Sequence, residues 1–151
     1  MTARPSPALV ETGMAAPELR AYQVDVIARL TAAIAAGRRR VLLVAPTGSG
    51  KTVIAASFIR EHVNQRQRVL FLAHRRELIA QASAKLHAHG VDHGIIQAGY
   101  PTRPGEPVQV ASIGTLWARA MRSSVMSLPP ADVVVIDEAH RARARTYRKI
   151  V

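Results

Sequence analysis

The sequence predicts an α/β domain with a mostly parallel β-sheet and helices on both faces. Short apolar segments alternate five times along the chain with longer segments that place apolar residues at helical spacing. The predicted strands are apolar throughout, which is typical of strands that are buried on both faces of a parallel sheet. A length of 151 residues fits one such domain.

The first predicted helix follows a leader. Residues 1–16 are rich in Pro and Ala without a helical or strand pattern, so we expect them to be flexible. A helix is predicted from Pro17, because proline suits a first helical turn, to Gly37, which suits a left-handed C-cap. The chain therefore divides into a leader, 1–16, and a folded domain, 17–151.

The remaining elements follow in strict alternation. The predicted strands comprise residues 41–45, 68–73, a short one within 93–99, 108–113 and 133–136. The predicted helices comprise residues 51–64, 74–90 and a segment that contains Leu116, Trp117 and Met121. Pro129 and Pro130 separate this last helix from the last strand.

Composition narrows the class of protein. Cysteine is absent, so disulfides and thiolate zinc sites are excluded. No apolar segment has the length of a signal peptide core or a membrane span, and we expect a soluble, cytoplasmic protein that does not bind membranes. The 21 Lys and Arg against 10 Asp and Glu give a net charge of +11, which favours a polyanionic partner such as nucleic acid. A solvated Arg-rich surface is the alternative.

The segment Ala-Pro-Thr-Gly-Ser-Gly-Lys-Thr, residues 45–52, predicts a phosphate-binding loop. It lies between a predicted strand and a predicted helix, where backbone N–H groups and the helix dipole favour an anion. Lys51 is predicted to reach the terminal phosphates and Thr52 to offer its hydroxyl to Mg²⁺. The loop residues assigned to the nucleotide are Thr47, Gly48, Ser49, Gly50, Lys51 and Thr52. The strict motif begins with Gly, whereas this one begins with Ala45; the alternative is a glycine-rich turn that happens to carry Lys.

Two acids, Asp137 and Glu138, directly follow the last predicted strand. Carboxyl ends of parallel strands meet at one edge of a sheet, so the pair is predicted to lie on the edge that carries the phosphate loop. Adjacent carboxylates repel each other unless a cation is bound. We expect Asp137 to hold Mg²⁺ and Glu138 to orient and deprotonate an attacking water. The alternative is that the pair caps a following helix.

Together these motifs resemble the first RecA-like domain of a superfamily 2 helicase or translocase of the DEAD/DEAH-box type. The similarity is to helicases of phages and prophages and to the translocase subunits of restriction enzymes, and it extends over residues 18–151. The segments that carry it are Leu-Arg-Ala-Tyr-Gln at 19–23, the loop at 45–52, Leu-Ala-His-Arg-Arg-Glu-Leu-Ile-Ala-Gln at 72–81, Ala-Ser-Ile-Gly-Thr-Leu at 111–116 and Asp-Glu-Ala-His at 137–140.

The resemblance implies further site residues. Tyr22 and Gln23 would contact adenine, and His140 would couple the nucleotide site to the rest of a motor. A nucleic-acid backbone would be contacted by Arg75, Arg76, Ser112 and Thr115. For the two arginines, a solvated helix start is the alternative.

The resemblance also implies an activity and a larger assembly. It implies ATP and Mg²⁺ binding and, in a full-length protein, nucleic-acid-dependent ATP hydrolysis that drives a helicase or translocase, with DNA favoured over RNA. In RecA-like sheets another strand lies between the strand of the acidic pair and the strand of the phosphate loop, and we expect the chain to end before this strand and before a second RecA-like domain. We expect little hydrolysis from these 151 residues alone. The alternative is a truncated, non-motor protein that only binds nucleotide or nucleic acid.

Overall fold

The computed structural model describes residues 17–139. Its helices are α1 (Ala21–Ala35), α2 (Lys51–Asn64), α3 (Arg76–Ala88) and α4 (Ile113–Leu116), the last continued by a π-helical segment, Trp117–Arg122. Its strands are β1 (Val69–Ala73), β2 (His93–Ile96), β3 (Val108–Ser112) and β4 (Val133–Ile136). The predicted leader and residues 140–151 lie outside the described part.

The four strands form one parallel sheet in the order β2-β3-β1-β4. β1 is central: Val69 pairs with Val108 of β3 on one side and with Val133 of β4 on the other. All carboxyl ends of the strands therefore lie at one edge of the sheet. The predicted α/β class with a parallel sheet is confirmed.

Helices cover both faces of the sheet. On one face α2 and α3 pack against alternate residues of β1 and β3, such as Phe71 and Val110, through Ile59, Ile79 and Leu86. On the other face α4 and the π-helical segment pack against the intervening residues of the strands, among them Leu70 and Leu72. β1 is buried along its whole length because it has neighbours on both faces and both edges.

The predicted strand at residues 41–45 is wrong for the structure described. These residues have no regular secondary structure, and no described strand pairs with them. Leu42 is 70% exposed and Val44 is 84% exposed. The physical reason is pairing: among the described residues, no strand offers the backbone N–H and C=O groups of this segment a partner.

The helices also differ in detail from the sequence prediction. α1 begins at Ala21 rather than Pro17 and ends at Ala35, and Gly37 has the positive φ of 84° expected of a left-handed cap. The helix after β3 changes from α to π geometry at Trp117, which periodicity does not reveal. Within residues 17–139, no helix combines the length and apolar character that crossing a membrane requires.

Candidate active site

Three strand ends meet at the carboxyl edge of the sheet. Ala73, at the end of β1, lies opposite Ser112 at the end of β3. On the other side, Leu72 lies opposite Ile136, and the backbone N–H of Asp137 donates to the Leu72 carbonyl over 2.9 Å. The turn that follows β1 therefore lies between the acidic pair after β4 and the predicted nucleic-acid hydroxyls after β3.

The acidic pair is half-buried at this edge. Oδ1 of Asp137 accepts a hydrogen bond of 3.0 Å from the backbone N–H of Glu138. Glu138 has a φ of 51°, in the left-handed region that residues other than glycine seldom adopt. Its Oε2 lies 3.2 Å from Nε2 of His74, the first residue after β1. His140, and the helix that the capping alternative requires, lie outside the described residues.

The phosphate loop has the backbone shape that its glycines allow. Gly48 and Gly50 have φ values of 80° and 77°, and Gly50 is the N-cap of α2. Between them, the N–H of Ser49 donates to the Pro46 carbonyl over 3.3 Å and closes a turn. The loop thus leads directly into the N-terminus of a helix of 14 residues.

This loop suits an anion such as a phosphate group. A Cβ added at Gly48 would meet nothing within 4 Å, so the backbone is open on that side. Oγ of Ser49 is buried without a hydrogen-bond partner among the described residues. Nζ of Lys51 lies 2.9 Å from the carbonyls of Ala45 and Pro46, so the ammonium is held over the loop and is still exposed. Thr52, in the first turn of α2, lines a small gap with Phe71 of β1.

Tyr22 and Gln23 reach the phosphate loop from α1. The Tyr22 hydroxyl donates to the Ser49 carbonyl over 2.5 Å, and Nε2 of Gln23 lies 3.4 Å from the same oxygen. Oε1 of Gln23 accepts from the backbone N–H of Arg20 over 2.9 Å, which caps α1. The side chains predicted to contact adenine are therefore next to the phosphate loop and in contact with its backbone.

The predicted nucleic-acid residues lie on the same edge. Arg75 is the N-cap of α3 and Arg76 its first residue, and both are exposed. The Arg76 guanidinium lies 5.9 Å from the centre of the Tyr100 ring, a cation–π contact. Ser112 ends β3 and Thr115 lies in α4, and both are half-buried.

Two residues of this edge were missed by sequence reasoning, His74 and Tyr100. His74 could have been found from its position, since it is the first residue after a predicted strand. Tyr100 lies in a loop far from Arg76 in sequence, and no pattern of spacing indicates that the two meet.

Comparison with known proteins supports the same reading of the chain. Residues 16–151 match the family model "Type III restriction enzyme, res subunit". A protein of Saccharomyces cerevisiae described as "Putative ATP-dependent helicase IRC3" is 35% identical over 153 residues, which cover 95% of this chain and 22% of that protein. The EcoKI type I restriction endonuclease subunit of Escherichia coli K12 is 31% identical over 85% of this chain and 12% of its own length.

A third relative is a 51.5 kDa protein of a Lactococcus phage, 31% identical over 72% of this chain and 20% of its own length. The chain thus spans about a quarter or less of each of these relatives. The family match extends over most of the chain and includes both the phosphate loop and the acidic pair. The chain therefore belongs to the family of the type III restriction enzyme res subunit, the N-terminal domain of superfamily 2 helicases.

Proposed function

We propose that this chain is the ATP-binding part of a motor that hydrolyses ATP when it is bound to nucleic acid. The observation that carries the proposal is the shape of the loop before α2, where two glycines at positive φ lead into the N-terminus of a 14-residue helix. Such a loop presents backbone N–H groups and a positive dipole end to a phosphate. The chain's membership of a helicase family supports the same activity.

The residues divide between holding the nucleotide and promoting its hydrolysis. Lys51 is exposed and held only by carbonyl oxygens, so its ammonium can turn to a phosphate without breaking an ion pair among the described residues. The Thr52 hydroxyl and the Asp137 carboxylate are oxygen donors of the kind that hold Mg²⁺ together with substrate phosphates. When bound, Mg²⁺ would neutralise the charge that develops on those phosphates.

Glu138 is assigned as the base that orients and deprotonates the attacking water. Its side chain is about one-third exposed, so water can reach the carboxylate. Tyr22 and Gln23 border the loop and are proposed to contact adenine. His140 is proposed to couple this site to the rest of the motor.

The nucleic acid is proposed to lie across the same edge of the sheet. Arg75 and Arg76 would contact phosphates by charge, and the hydroxyls of Ser112 and Thr115 would donate to phosphate oxygens. None of these contacts reads a base, so the motor would bind without sequence preference. The net charge of +11 favours such a polyanion, and we propose DNA rather than RNA as the substrate.

The test is ATP hydrolysis by the full-length gene product with and without single-stranded DNA. We expect Lys51→Ala and Glu138→Gln each to lower the DNA-stimulated rate by about 10²-fold or more, as when a charge-stabilising group or a general base is removed. Lys85→Ala and Glu61→Gln are matched controls, because both residues are exposed on helices away from the proposed site.

Unchanged turnover in either active-site variant would overturn the assignment of that residue. Nucleotide binding without turnover in the unaltered protein would support the alternative, a non-motor protein that only binds nucleotide or nucleic acid.

A further inference from the structure

The contact between His74 and Glu138 joins the ends of the two neighbouring strands β1 and β4. Nε2 of His74 lies 3.2 Å from Oε2 of Glu138, and the two side chains are 17% and 34% exposed. The two atoms are in close polar contact, but their alignment is not that of a hydrogen bond. Both ring nitrogens of His74 are buried and have no aligned hydrogen-bond partner among the described residues.

This arrangement is unusual for a histidine with a structural role only. His93 is half-buried at the far edge of the sheet, and its two ring nitrogens lie 2.7 Å from the Ser83 hydroxyl and 2.9 Å from the Val91 carbonyl. Buried polar atoms generally have such partners, because an unmade hydrogen bond is costly. Nε2 of His74 instead lies close to the carboxylate of Glu138, the proposed catalytic base.

The position of His74 in the chain links Glu138 to the proposed nucleic-acid surface. His74 is followed directly by Arg75 and Arg76, the N-cap and first residue of α3. The charged groups nearest in sequence to the pair are these two arginines on the β1 side and Asp137 on the β4 side. A movement of the turn after β1 would therefore change the distance between the imidazole and the carboxylate.

We propose that His74 holds the Glu138 carboxylate at the end of β1 when no nucleic acid is bound, and that nucleic acid on Arg75 and Arg76 releases it. The inference rests on the proposed function, since it concerns the base of that reaction. His74 is a positioning residue and does not itself touch the nucleotide. Its role is to keep hydrolysis slow until the polyanion is bound.

The experiment measures the steady-state ATPase rate of the full-length gene product at saturating ATP, without and with a mixed-sequence single-stranded DNA. We expect His74→Ala to raise the DNA-free rate about two- to fivefold, the range expected from the loss of one partly exposed polar contact to a carboxylate. The DNA-stimulated rate should stay unchanged. The stimulation ratio, which is the rate with DNA divided by the rate without DNA, therefore falls by the same factor. A residue that only supports the fold would instead lower both rates together.

Three further variants test whether the change in the stimulation ratio depends on the contact between His74 and Glu138. His74→Gln keeps an N–H donor near the position of Nε2, so it should restore most of the stimulation ratio. His93→Ala is the matched control, a half-buried histidine far from the site, and should leave the ratio unchanged. The double variant His74→Ala with Glu138→Gln should be inactive, which shows that the additional DNA-free hydrolysis uses Glu138.

Different results would contradict the proposed function and the restraint by His74. If the unaltered protein shows no DNA-stimulated hydrolysis, or Lys51→Ala retains it, the proposed function is wrong. If both of those controls behave as expected and His74→Ala leaves the DNA-free rate unchanged or lowers it, the restraint by His74 is wrong. An unrestored ratio in His74→Gln, with the variant folded by its thermal unfolding midpoint, also counts against it.

Discussion

Two segments of almost the same composition differ in their burial in this fold. β1 reads Val-Leu-Phe-Leu-Ala, and residues 41–45 read Val-Leu-Leu-Val-Ala. Every residue of β1 is buried, with Leu72 at 0% exposure, whereas Leu42 in the other segment is 70% exposed. The difference is in their neighbours, since β1 pairs with β3 and β4 while no described strand pairs with residues 41–45. Apolar character therefore makes a segment capable of burial, and the backbone partners decide whether it is buried.

β4 is intermediate between these two segments. It has four consecutive apolar residues and one partner, β1, and all four residues are half-buried. Within residues 17–139, burial thus increases with the number of paired strands, from none for residues 41–45 to one for β4 and two for β1.

Substitutions of two leucines test this comparison, and one of them has the largest expected effect on stability. In the 151-residue chain we expect Leu72→Ala to lower the free energy of unfolding by about 2–5 kcal/mol, because it removes buried methyl groups and leaves a cavity. Leu42→Ala should change it by less than about 0.5 kcal/mol, since the side chain is mostly exposed. Urea unfolding followed by circular dichroism measures both. Similar losses for the two variants would show that residues 41–45 are packed.

The parts of the fold that could be predicted from the sequence are the strands with a local apolar pattern. β1, β3 and β4 were predicted to within about one residue at each end, because runs of consecutive apolar residues are local signals. The failure at residues 41–45 has a non-local cause, since pairing depends on a strand elsewhere in the chain. Sequence patterns contain no direct information on whether that partner is present.

The candidate site likewise has features that the sequence predicted and contacts that it did not. The positions of Asp137 and Glu138 at a strand end followed from the apolar run before them, and the parallel sheet has them there. The contact of Glu138 with His74 and that of Arg76 with Tyr100 depend on how turns fold at the ends of strands. Such contacts join residues far apart in sequence, and the spacing of residues along the chain does not indicate them.

The next largest effect concerns how the loop after residues 41–45 is held. No described strand pairs with residues 41–45, and the loop that follows them is held from α1 by Tyr22 and Gln23. A Cβ at Gly50 would lie 2.5 Å from Nε2 of Gln23, whereas a Cβ at Gly48 would meet nothing within 4 Å. Both positions have positive φ, so either alanine should cost about 1 kcal/mol or more in backbone strain.

Gly50→Ala should cost about 1 kcal/mol more than Gly48→Ala, because the Gln23 carboxamide must move and its hydrogen bonds weaken. Urea unfolding of the two variants, each with and without Gln23→Ala, measures the coupling. The additional loss should disappear in the Gln23→Ala background. If Gly50→Ala still costs more than Gly48→Ala by the same amount in the Gln23→Ala background, Gln23 does not hold the loop.

The smallest expected effect concerns His89, which is the C-cap of α3. His89 is buried there, its Nδ1 lies 3.4 Å from the Ser57 hydroxyl and its Nε2 has no partner among the described residues. Burial lowers the pKa of His89, and the nearby charges of Arg60 and Lys85 lower it further. The unfolded chain therefore binds this proton more readily than the folded chain does.

The direction of the pH dependence follows from that difference. Above the ordinary histidine pKa of about 6.5, His89 is neutral in both states and has no effect. As the pH falls through about 6.5, the unfolded state is protonated first, so the free energy of unfolding decreases until the folded pKa is passed. We expect His89→Gln to lose less stability than the unaltered chain between pH 8 and pH 5.5, as measured by urea unfolding at both pH values. His87→Gln, an exposed histidine two residues away, should retain the full loss. If His89→Gln retains it as well, burial of this imidazole does not contribute to the acid sensitivity of the fold.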